Sequence, residues 1–368
     1  MIAVHSVFKP GSSMFKNHFC QNLFYSNFSW KKLKRFLRNP KIRKLLVTCF
    51  LLMLILLYIF GVKLPHEKSI KAEQVTLQIM SVMGTRLTAV RLLPDKNTTR
   101  LQPNFHCNDD LFSIILIKST PDKYWKRQLI RNTWFKLFSK LNENVKAFFF
   151  VGIPAGKEIS LNLMSESDNF GDIIIEELDE HHYLQTLKSL RMLKWFNSSN
   201  SCLNSRFLIK TDDDSFLHVP NIVNHINSVA NAWVNYIGGE LHLTDGVTSD
   251  PDSEQFTPAD WYSEATYPPF VTGPLVVICS EVVPLLLSAS LKLPFFHNLD
   301  DVFISGILAF DQLQIVPNNI PRIESNNWQL VVRLKMALSL RDLAKTNLAF
   351  YCAGEPDFIE ELYNQAIA

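Results

Sequence analysis

Residues 207–214 read Phe-Leu-Ile-Lys-Thr-Asp-Asp-Asp, an apolar run that ends in three consecutive carboxylates. The apolar half is typical of a buried strand, which would place Asp212, Asp213 and Asp214 at its carboxyl end. Adjacent carboxylates repel one another, and a divalent cation relieves the repulsion because Mg²⁺ and Mn²⁺ prefer hard oxygen ligands. A solvated acidic turn is the alternative. An EF-hand is excluded because its sixth loop position, which needs glycine, would be Leu217.

Other short apolar runs on either side of this stretch indicate a parallel sheet, because uninterrupted apolar runs suit strands that are buried on both faces. These runs are Phe112–Ile117, Val145–Val151, Asp172–Ile175 and Phe207–Ile209. Between them, residues 183–196 place apolar side chains on one helical face, opposite Lys188, Arg191 and Lys194. Strands that alternate with helices predict an α/β sandwich of about 260 residues with a mainly parallel central sheet. Ligands of such sheets bind beyond the carboxyl ends of the strands.

A second acidic pair lies in residues 297–302, which read His-Asn-Leu-Asp-Asp-Val and precede another apolar run. A carboxylate of Asp300 or Asp301 beside a sugar acceptor could take the proton from the attacking hydroxyl, which is general-base catalysis. The alternative interpretation is a helix N-cap, because aspartate also favours the start of a helix.

Two further motifs could bind a sugar or a phosphate. Residues 267–274 (YPPFVTGP) form a proline-rich loop whose aromatic side chains could stack on a sugar, or a purely structural loop. Residues 127–134 (RQLIRNTW) place Arg127 and Arg131 four positions apart. On a helix these two side chains share a face and could reach one phosphate together. An ordinary surface helix is the alternative.

The first 44 residues carry ten of the 37 Lys and Arg residues and no Asp or Glu. The remainder has a net charge of −8, from 27 basic and 35 acidic residues, which argues against nucleic-acid binding. Residues 45–62 (LLVTCFLLMLILLYIFGV) contain no charge and as a helix would span ~27 Å, roughly the hydrocarbon thickness of a bilayer. A buried core helix and a cleaved signal peptide are the alternatives. The basic flank before this run predicts a type II signal-anchor.

The predicted organisation has four parts. These are a cytoplasmic tail (1–44), a transmembrane signal-anchor (45–62), an irregular lumenal stem marked by prolines (63–105) and a catalytic α/β domain (106–368). Sequons at Asn97 and Asn197 agree with a lumenal location of the last two parts.

Four cysteines follow the predicted anchor, and an even number in an oxidising compartment predicts two disulfides. Cys107 pairs with Cys202 in our preferred arrangement, because each precedes a predicted strand by a few residues. Cys279 then pairs with Cys352 by elimination. The spacing of these cysteines fits no zinc site.

Taken in order, the four motifs resemble those of glycosyltransferase family 31, the β-1,3-galactosyltransferases and β-1,3-N-acetylglucosaminyltransferases. The matching stretches are Arg127–Trp134, Lys210–Asp214, Tyr267–Gly273 with Phe270 in place of Tyr, and Asp300–Val302 with Asp300 in place of Glu. The resemblance runs from about Cys107 to the mid-300s.

This resemblance implies a GT-A-like, Rossmann-type sandwich in the Golgi membrane. It implies an inverting hexosyltransferase that moves sugar from UDP-galactose or UDP-N-acetylglucosamine to a glycan hydroxyl on protein or lipid, in a β-1,3 linkage. It also implies Mn²⁺ (or Mg²⁺) as cofactor, with Asp214 as the direct metal ligand. Asp212 and Asp213 would contact the ribose, or the metal through water.

The same resemblance assigns the remaining site residues. Asp301 would be the base that activates the acceptor hydroxyl, and Asp300 would orient the acceptor. Arg127, Arg131 and Lys188 would bind the UDP moiety.

The chain departs from the family pattern near Glu180–Thr186 and at the C-terminal histidine that completes the metal site in many members. No histidine follows His297, and the corresponding region, about Lys335–Asp342, has none. The alternative function is therefore a catalytically degenerate relative that acts as a lumenal chaperone or partner subunit of an active transferase. A lectin-like type II receptor is a third possibility, which requires a cell-surface location.

Overall fold

The structure of the chain is a computed structural model that describes residues 39–59, 65–104, 111–140, 144–198, 205–229, 235–324, 342, 344–345, 347–352 and 356–367. The chain divides into two compact units, residues 1–68 and 69–368. The first unit contains helix α1 (Pro40–Ile59). No helix within the described ranges is long and apolar enough to cross a bilayer. The last three residues of the predicted anchor, 60–62, lie outside those ranges, and the anchor stays a prediction.

The second unit is an α/β sandwich. Its helices are α2 (Pro65–Met83, in this unit from Ser69 onward), α3 (Thr88–Leu92), α4 (Tyr124–Asn132), α5 (Lys157–Phe170), α6 (Gln185–Asn197), α7 (Val219–Val229), α8 (Val282–Ser290) and α9 (Pro356–Ile367). Two 3₁₀ segments (Trp134–Lys140 and His182–Leu184) and a π-helix (Val302–Gln312) are also present.

The strands form two sheets. They are β1 (Thr99–Leu101), β2 (Leu111–Lys118), β3 (Asn144–Ile153), β4 (Ile173–Asp179), β5 (Phe207–Asp212), β6 (Ser215–Leu217), β7 (Ile237–His242), β8 (Phe270–Cys279), β9 (Asn318–Asn319), β10 (Ile323–Glu324) and β11 (Ala349–Tyr351). Within the described part of the chain, the larger sheet has the order β1-β4-β3-β2-β5-β8-β7-β9 and the smaller one β10-β11-β6.

The centre of the larger sheet is parallel: β4, β3, β2 and β5 all run in the same direction. Strand β8 pairs antiparallel with both β5 and β7, so the sheet as a whole is mixed. The four apolar runs identified in the sequence are these four parallel strands, and the helix predicted over 183–196 is α6. The predicted α/β sandwich with a mainly parallel central sheet is confirmed.

The sheet is covered on both faces because its central strands are apolar throughout. On β2, Ile114 and Leu116 join one buried cluster, whereas Ile115 and Ile117 join another on the opposite face. The first cluster contains residues of α6, α8 and the π-helix, and the second contains residues of α4, α7 and α9. Successive side chains of these strands point to opposite faces of the sheet, and both faces are covered. The strands therefore lack the alternation of polar and apolar residues that a half-exposed strand shows.

The prediction of an irregular stem is wrong for residues 65–104. Helix α2 buries Ile79 and Met83 in the core of the sandwich, and α3 buries Leu92. Strand β1 adds to the edge of the sheet beside β4. Val75, Ile79 and Met83 repeat every fourth residue, which is a helical stripe, and Pro65 occupies a first helical turn, where proline is tolerated.

The predicted Cys279–Cys352 disulfide is also wrong, because both cysteines are free. Cys279 pairs with Phe207 at the start of β5, whereas the Cys352 amide donates a 2.8 Å hydrogen bond to the Asp214 carbonyl beyond the end of that strand. The strand therefore separates them by roughly 20 Å. A disulfide requires Cα atoms within about 7 Å of one another. Cys107 and Cys202 lie outside the described residues.

We expect Cys279 and Cys352 to be found as free thiols in the purified, unreduced chain. Alkylation after unfolding should label both, whereas alkylation of the native chain should spare Cys352, which is buried and whose thiol pKa is raised by that burial. Peptide mass spectrometry without reduction makes the measurement. A peptide that links the two cysteines would contradict the placement of β5 between them.

Candidate active site

The acidic triple lies at the carboxyl edge of the parallel strands, as the sequence predicted. Strands β2 and β5 are neighbours in register, and Lys118 at the end of β2 is the partner of Asp212 at the end of β5. The Asp213 amide continues the pairing by donating to the Lys118 carbonyl at 3.0 Å. The chain therefore leaves the sheet with three carboxylates at the edge where α/β proteins bind ligands.

The buried Lys210 and the largely buried Lys118 connect this triple to the second acidic pair. The Lys118 ammonium lies 3.1 Å from Asp212 Oδ1 and 3.1 Å from Asp300 Oδ2. The Lys210 ammonium lies 2.6 Å from Asp300 Oδ2 and 2.6 Å from Asp301 Oδ1. Burial lowers the pKa of both lysines, but the surrounding carboxylates outweigh it and raise both pKa values. Both lysines are therefore positively charged at neutral pH.

Asp300 and Asp301 have different environments. Burial favours a raised pKa for Asp300, but Lys118, Lys210 and a 2.5 Å hydrogen bond from Ser189 Oγ outweigh it and lower the pKa well below its usual range. Burial and the charge of Asp300 raise the pKa of Asp301 despite its contact with Lys210. The result is one permanently charged carboxylate and one with greater proton affinity.

Asp301 does not cap the helix that follows it, so the N-cap interpretation is wrong. Its side chain makes no capping hydrogen bond to the π-helix. Instead, Oδ2 accepts a 2.5 Å hydrogen bond from Thr272 Oγ1, and Oδ1 contacts Lys210. The carboxylate is therefore held by β5 and β8, away from the backbone amides of its own helix.

Residues 267–274, predicted as a loop, are a loop only as far as Pro269, because β8 begins at Phe270, and they pack directly against the π-helix. Gly273 has a φ of +104°, a conformation that favours glycine, close to an irregularity in the pairing of β7 with β8 that includes Thr272. Ser305 on the π-helix accepts a 2.9 Å hydrogen bond from the Val271 amide. A Cβ on Gly306 would lie 3.1 Å from the ring of Pro268, closer than most Cβ contacts, so a side chain here would press on that ring.

A cleft of ≈ 250 Å³ opens beside this loop. Its lining includes Asp300 and Asp301 together with the aromatic side chains of Tyr267 and Phe270. The His242 ring stacks on Phe270 with centroids 5.1 Å apart. Carboxylates and aromatic rings in one cleft suit a sugar, which presents hydroxyls at its edge and an apolar face. The structure thus brings together the second and third motifs of the sequence.

Asp214 combines burial with an unsatisfied acceptor. Its Oδ1 atom is buried and has no hydrogen-bond partner. Burial, with the neighbouring charge of Asp212, raises the pKa of Asp214 to about 6. A hard divalent cation would satisfy this oxygen, so the residue fits the metal-ligand role expected of it. Within the described ranges, no group of three or more His, Cys, Asp or Glu side chains converges as a metal site. Apart from Asp342, the stretch 335–342 lies outside those ranges.

Asp213 is held in place by two donors. Ser119 Oγ donates to its Oδ2 at 2.8 Å, and the Lys126 ammonium donates to its Oδ1 at 2.8 Å. Lys126 also lies 4.0 Å from Asp214 Oδ2. The side chain of Asp212 is more exposed than that of either neighbour.

The structure does not bring Arg127, Arg131 or Lys188 to the open face of the acidic triple. Arg127 is fully buried in a bidentate ion pair with Glu166 at 2.8 and 2.7 Å. Arg131 binds the same Glu166 and makes a second bidentate pair with Asp172. These contacts join α4 to α5 and to the start of β4. The contact of the two arginines with UDP stays a prediction.

Lys188 also makes structural contacts within the protein. Its ammonium donates to the Ser119 carbonyl at 2.5 Å and to the carboxylate of Glu180 at 2.7 and 2.9 Å. Glu180 in turn accepts a 2.5 Å hydrogen bond from the Gly152 amide. This chain of contacts links the ends of β2, β3 and β4, so Lys188 holds the edge on which the site is built. Its contact with UDP also stays a prediction.

Four residues of the site were missed at the sequence level: Lys118, Lys126, Ser189 and Thr272. Lys118 had a signal, because it ends the strand that pairs with β5 and is therefore brought to Asp212. Lys126 directly precedes Arg127 and was overlooked in favour of the two arginines. Ser189 and Thr272 reach the acidic pair only through tertiary contacts.

The family model of the galactosyltransferases matches residues 125–321, more than half of the chain. The chain belongs to the galactosyltransferase family. The matched range contains all four motifs and every predicted site residue, and the resemblance to family 31 is confirmed.

Named relatives of this galactosyltransferase-family chain share one description, lactosylceramide 1,3-N-acetyl-β-D-glucosaminyltransferase. The rat protein is 30% identical over 57% of this chain and 56% of its own length, and the human protein has the same three values. The chain thus matches about half the length of these relatives. A solved structure of the galactosyltransferase LgtC with donor and acceptor sugar analogues covers 69% of this chain and 95% of that chain. Its TM-score of 0.37 and identity of 8% are too low to bear on function.

We expect the Asp214→Asn substitution to stabilise the metal-free protein at neutral pH. The folded-state pKa of about 6 lies above the model-peptide value of 3.8, so the charged carboxylate destabilises the fold once the pH rises above that range. Removal of the charge should raise the free energy of unfolding by at most about 3 kcal/mol at pH 7. The gain should shrink as the pH falls from 6 towards 4.

Denaturant unfolding in the presence of a chelator, from pH 4 to pH 7.5, measures this effect. The Asp260→Asn variant of an exposed loop aspartate is the matched control, and its stability should follow the wild type across the range. An Asp214→Asn variant that is less stable than the wild type at pH 7 would show that the carboxylate is satisfied in the native state.

Proposed function

We propose that this chain is an inverting hexosyltransferase that moves galactose or N-acetylglucosamine from a UDP-sugar to a glycan hydroxyl. The observation that carries the proposal is the arrangement of Asp301 in a sugar-sized cleft, joined through Lys210, Asp300 and Lys118 to the acidic triple. One part of this arrangement suits a donor diphosphate and its cation, and the other suits an acceptor hydroxyl.

The donor half of the proposed site consists of Asp212, Asp213 and Asp214. Asp214 would hold Mn²⁺ or Mg²⁺ through its unsatisfied oxygen, with the exposed Asp212 beside it. When bound, the metal neutralises the negative charge that develops on the diphosphate leaving group. Ser119 fixes one oxygen of the Asp213 carboxylate, and in the absence of metal Lys126 contacts the other.

The acceptor half is organised around Asp301. Its carboxylate takes the proton of the acceptor hydroxyl, and the freed oxygen attacks the anomeric carbon of the donor. The bond between that carbon and the diphosphate breaks, UDP leaves with the electron pair, and the anomeric configuration inverts. Thr272 and Lys210 orient the carboxylate, and the raised pKa of Asp301 increases its affinity for the transferred proton.

The proposed linkage is β-1,3. The descriptions of the rat and human relatives support this linkage and favour UDP-N-acetylglucosamine over UDP-galactose as donor. They also favour a glycolipid among the possible acceptors, which include glycans on protein.

The substitution Asp301→Asn tests this mechanism. It removes the proton acceptor but nearly keeps the size of the side chain, so the transfer rate should fall by about 10²–10⁴-fold while donor binding survives. Steady-state transfer to a glycan acceptor and UDP binding should be measured on the same preparation. Asp311→Asn, on the exposed side of the same π-helix, is the control and should keep full activity.

An Asp301→Asn variant with wild-type turnover would remove Asp301 from the mechanism. A folded wild type that transfers no sugar from any UDP donor would instead favour the non-catalytic partner-subunit function.

We further propose that the chain is a type II protein of the Golgi membrane, anchored by residues 45–62. Support comes from the ten basic residues that precede this apolar run without a single acidic one. The exposed Asn97 in its Asn-Thr-Thr sequon would then face the lumen.

Glycan mapping tests this orientation, because the chain also carries a sequon at Asn27, ahead of the apolar run. In a type II orientation Asn97 is glycosylated and Asn27 is not. The Asn97→Gln variant should therefore migrate faster on a gel, with the difference abolished by endoglycosidase, and Asn27→Gln should migrate like the wild type. A mobility change from Asn27→Gln alone would reverse the topology.

A further inference from the structure

Within the described part of the chain, Lys126 is the lysine whose ammonium lies within 4.0 Å of both Asp213 and Asp214. It lies in the first turn of α4, with its ammonium 2.8 Å from Asp213 Oδ1 and 4.0 Å from Asp214 Oδ2. Its side chain is 18% exposed, against 11% for Asp213 and 24% for Asp214. The contact is therefore partly shielded from water, which makes its charge more effective than that of a surface ion pair.

A count of the charges around the site shows that Lys126 offsets part of the negative charge of the carboxylates. Five carboxylates (Asp212, Asp213, Asp214, Asp300 and Asp301) face three ammonium groups (Lys118, Lys126 and Lys210). Two negative charges remain, which equals the charge of one divalent cation. Without Lys126 three would remain, and no lysine would lie within 4.0 Å of Asp213 or Asp214 among the ion pairs of the described residues. Lys126 thus limits the repulsion that the acidic triple would otherwise experience without metal.

Lys118 and Lys210 cannot take part in an exchange of cations. Lys118 joins Asp212 on β5 to Asp300, and Lys210 on β5 contacts both Asp300 and Asp301, so movement of either lysine would weaken the link between β5 and the acidic pair. Lys126 makes its contacts from a surface helix at the end of a flexible four-carbon chain. Trp125 beside it is half exposed, and its ring centroid lies 5.9 Å from the ammonium. Of the three lysines, Lys126 is the one that can turn away at little structural cost.

A divalent cation on Asp214 and the ammonium of Lys126 compete for the same carboxylates. The unsatisfied Asp214 Oδ1 is on the carboxylate whose other oxygen lies 4.0 Å from Lys126. A cation on Oδ1 and an ammonium beside Oδ2 of one carboxylate repel each other, so a bound metal would weaken the hold of Asp213 on Lys126. A diphosphate bound to the metal offers the released ammonium a new anionic partner.

We propose that Lys126 is a built-in counter-cation of the acidic triple, which yields to the divalent metal and then binds the donor diphosphate. Metal and nucleotide consequently bind cooperatively, each making the site more favourable for the other. The second half of this inference rests on the proposed function, since it requires a nucleotide diphosphate. The first half concerns the metal and the carboxylates alone.

The experiment compares full-length wild type with Lys126→Met in detergent. Mn²⁺ affinity without nucleotide is measured by the electron paramagnetic resonance signal of free Mn²⁺, and UDP affinity at saturating Mn²⁺ by calorimetry. Removal of the competing ammonium should tighten Mn²⁺ binding and removal of the diphosphate partner should weaken UDP binding, each by ~10-fold, within the range of measured couplings between sites. Lys123→Met removes a charge that pairs with Asp122 in the preceding turn, and should leave both affinities unchanged.

The two affinities must move in opposite directions for the proposal to stand. Weaker, unchanged or absent Mn²⁺ binding in Lys126→Met would overturn it, provided that the melting temperature shows a folded protein. Lys126→Gln repeats the test should the methionine variant fail to fold. Tighter Mn²⁺ binding by the variant, with a wild type that binds no UDP in Mn²⁺, would refute the proposed function and the diphosphate step while retaining the counter-cation.

Discussion

Repulsion among carboxylates at one edge of the sheet is the constraint on which this structure depends. Asp212 continues β5, whereas Asp300 and Asp301 come from a segment almost ninety residues later, and only positive charge between them allows the two to approach. The buried ammonium groups of Lys118 and Lys210 provide it, each bridging two carboxylates. Removal of one member of such a buried group typically costs about 3–5 kcal/mol, because it leaves an uncompensated charge behind. Helix α6 and strand β8 add Ser189 and Thr272 to the same network.

A second set of ion pairs stabilises the same edge of the sheet without contacting the acidic triple or the acidic pair. Arg127 and Arg131 join α4 to Glu166 on α5 and to Asp172 at the start of β4, and Lys188 joins α6 to Glu180 beyond β4. Both Arg127 and Lys188 also donate hydrogen bonds to the residues that follow β2. These cations therefore shape the loop that presents Ser119 to Asp213. The buried cations thus build the platform, whereas the partly exposed Lys126 lies beside the carboxylates that we propose bind the metal.

The sequence was a good guide wherever the evidence was local. Bare apolar runs identified the four central strands, and a parallel sheet then required the acidic triple to lie at its carboxyl edge. The sequence predicted less where a side chain is held by residues that are distant in the chain. Asp301 precedes a helix, as an N-cap residue does, but its carboxylate contacts Thr272 and Lys210 instead of the backbone amides of that helix. Arg127 and Arg131 have the spacing of a phosphate clamp, yet their carboxylate partners lie 35 to 41 residues away. The predicted disulfide between Cys279 and Cys352 is wrong because the two cysteines were paired by elimination, and they lie at opposite ends of β5.

The central claim is that the acidic edge of the sheet binds a metal and a UDP-sugar for transfer. The most direct test is the release of UDP from UDP-N-acetylglucosamine and UDP-galactose by the purified full-length chain, with Mn²⁺ and with a chelator. We expect release from at least one donor in Mn²⁺, increased by a glycan acceptor and abolished by the chelator. No release from either donor by a folded chain, or equal release with the chelator, would contradict it.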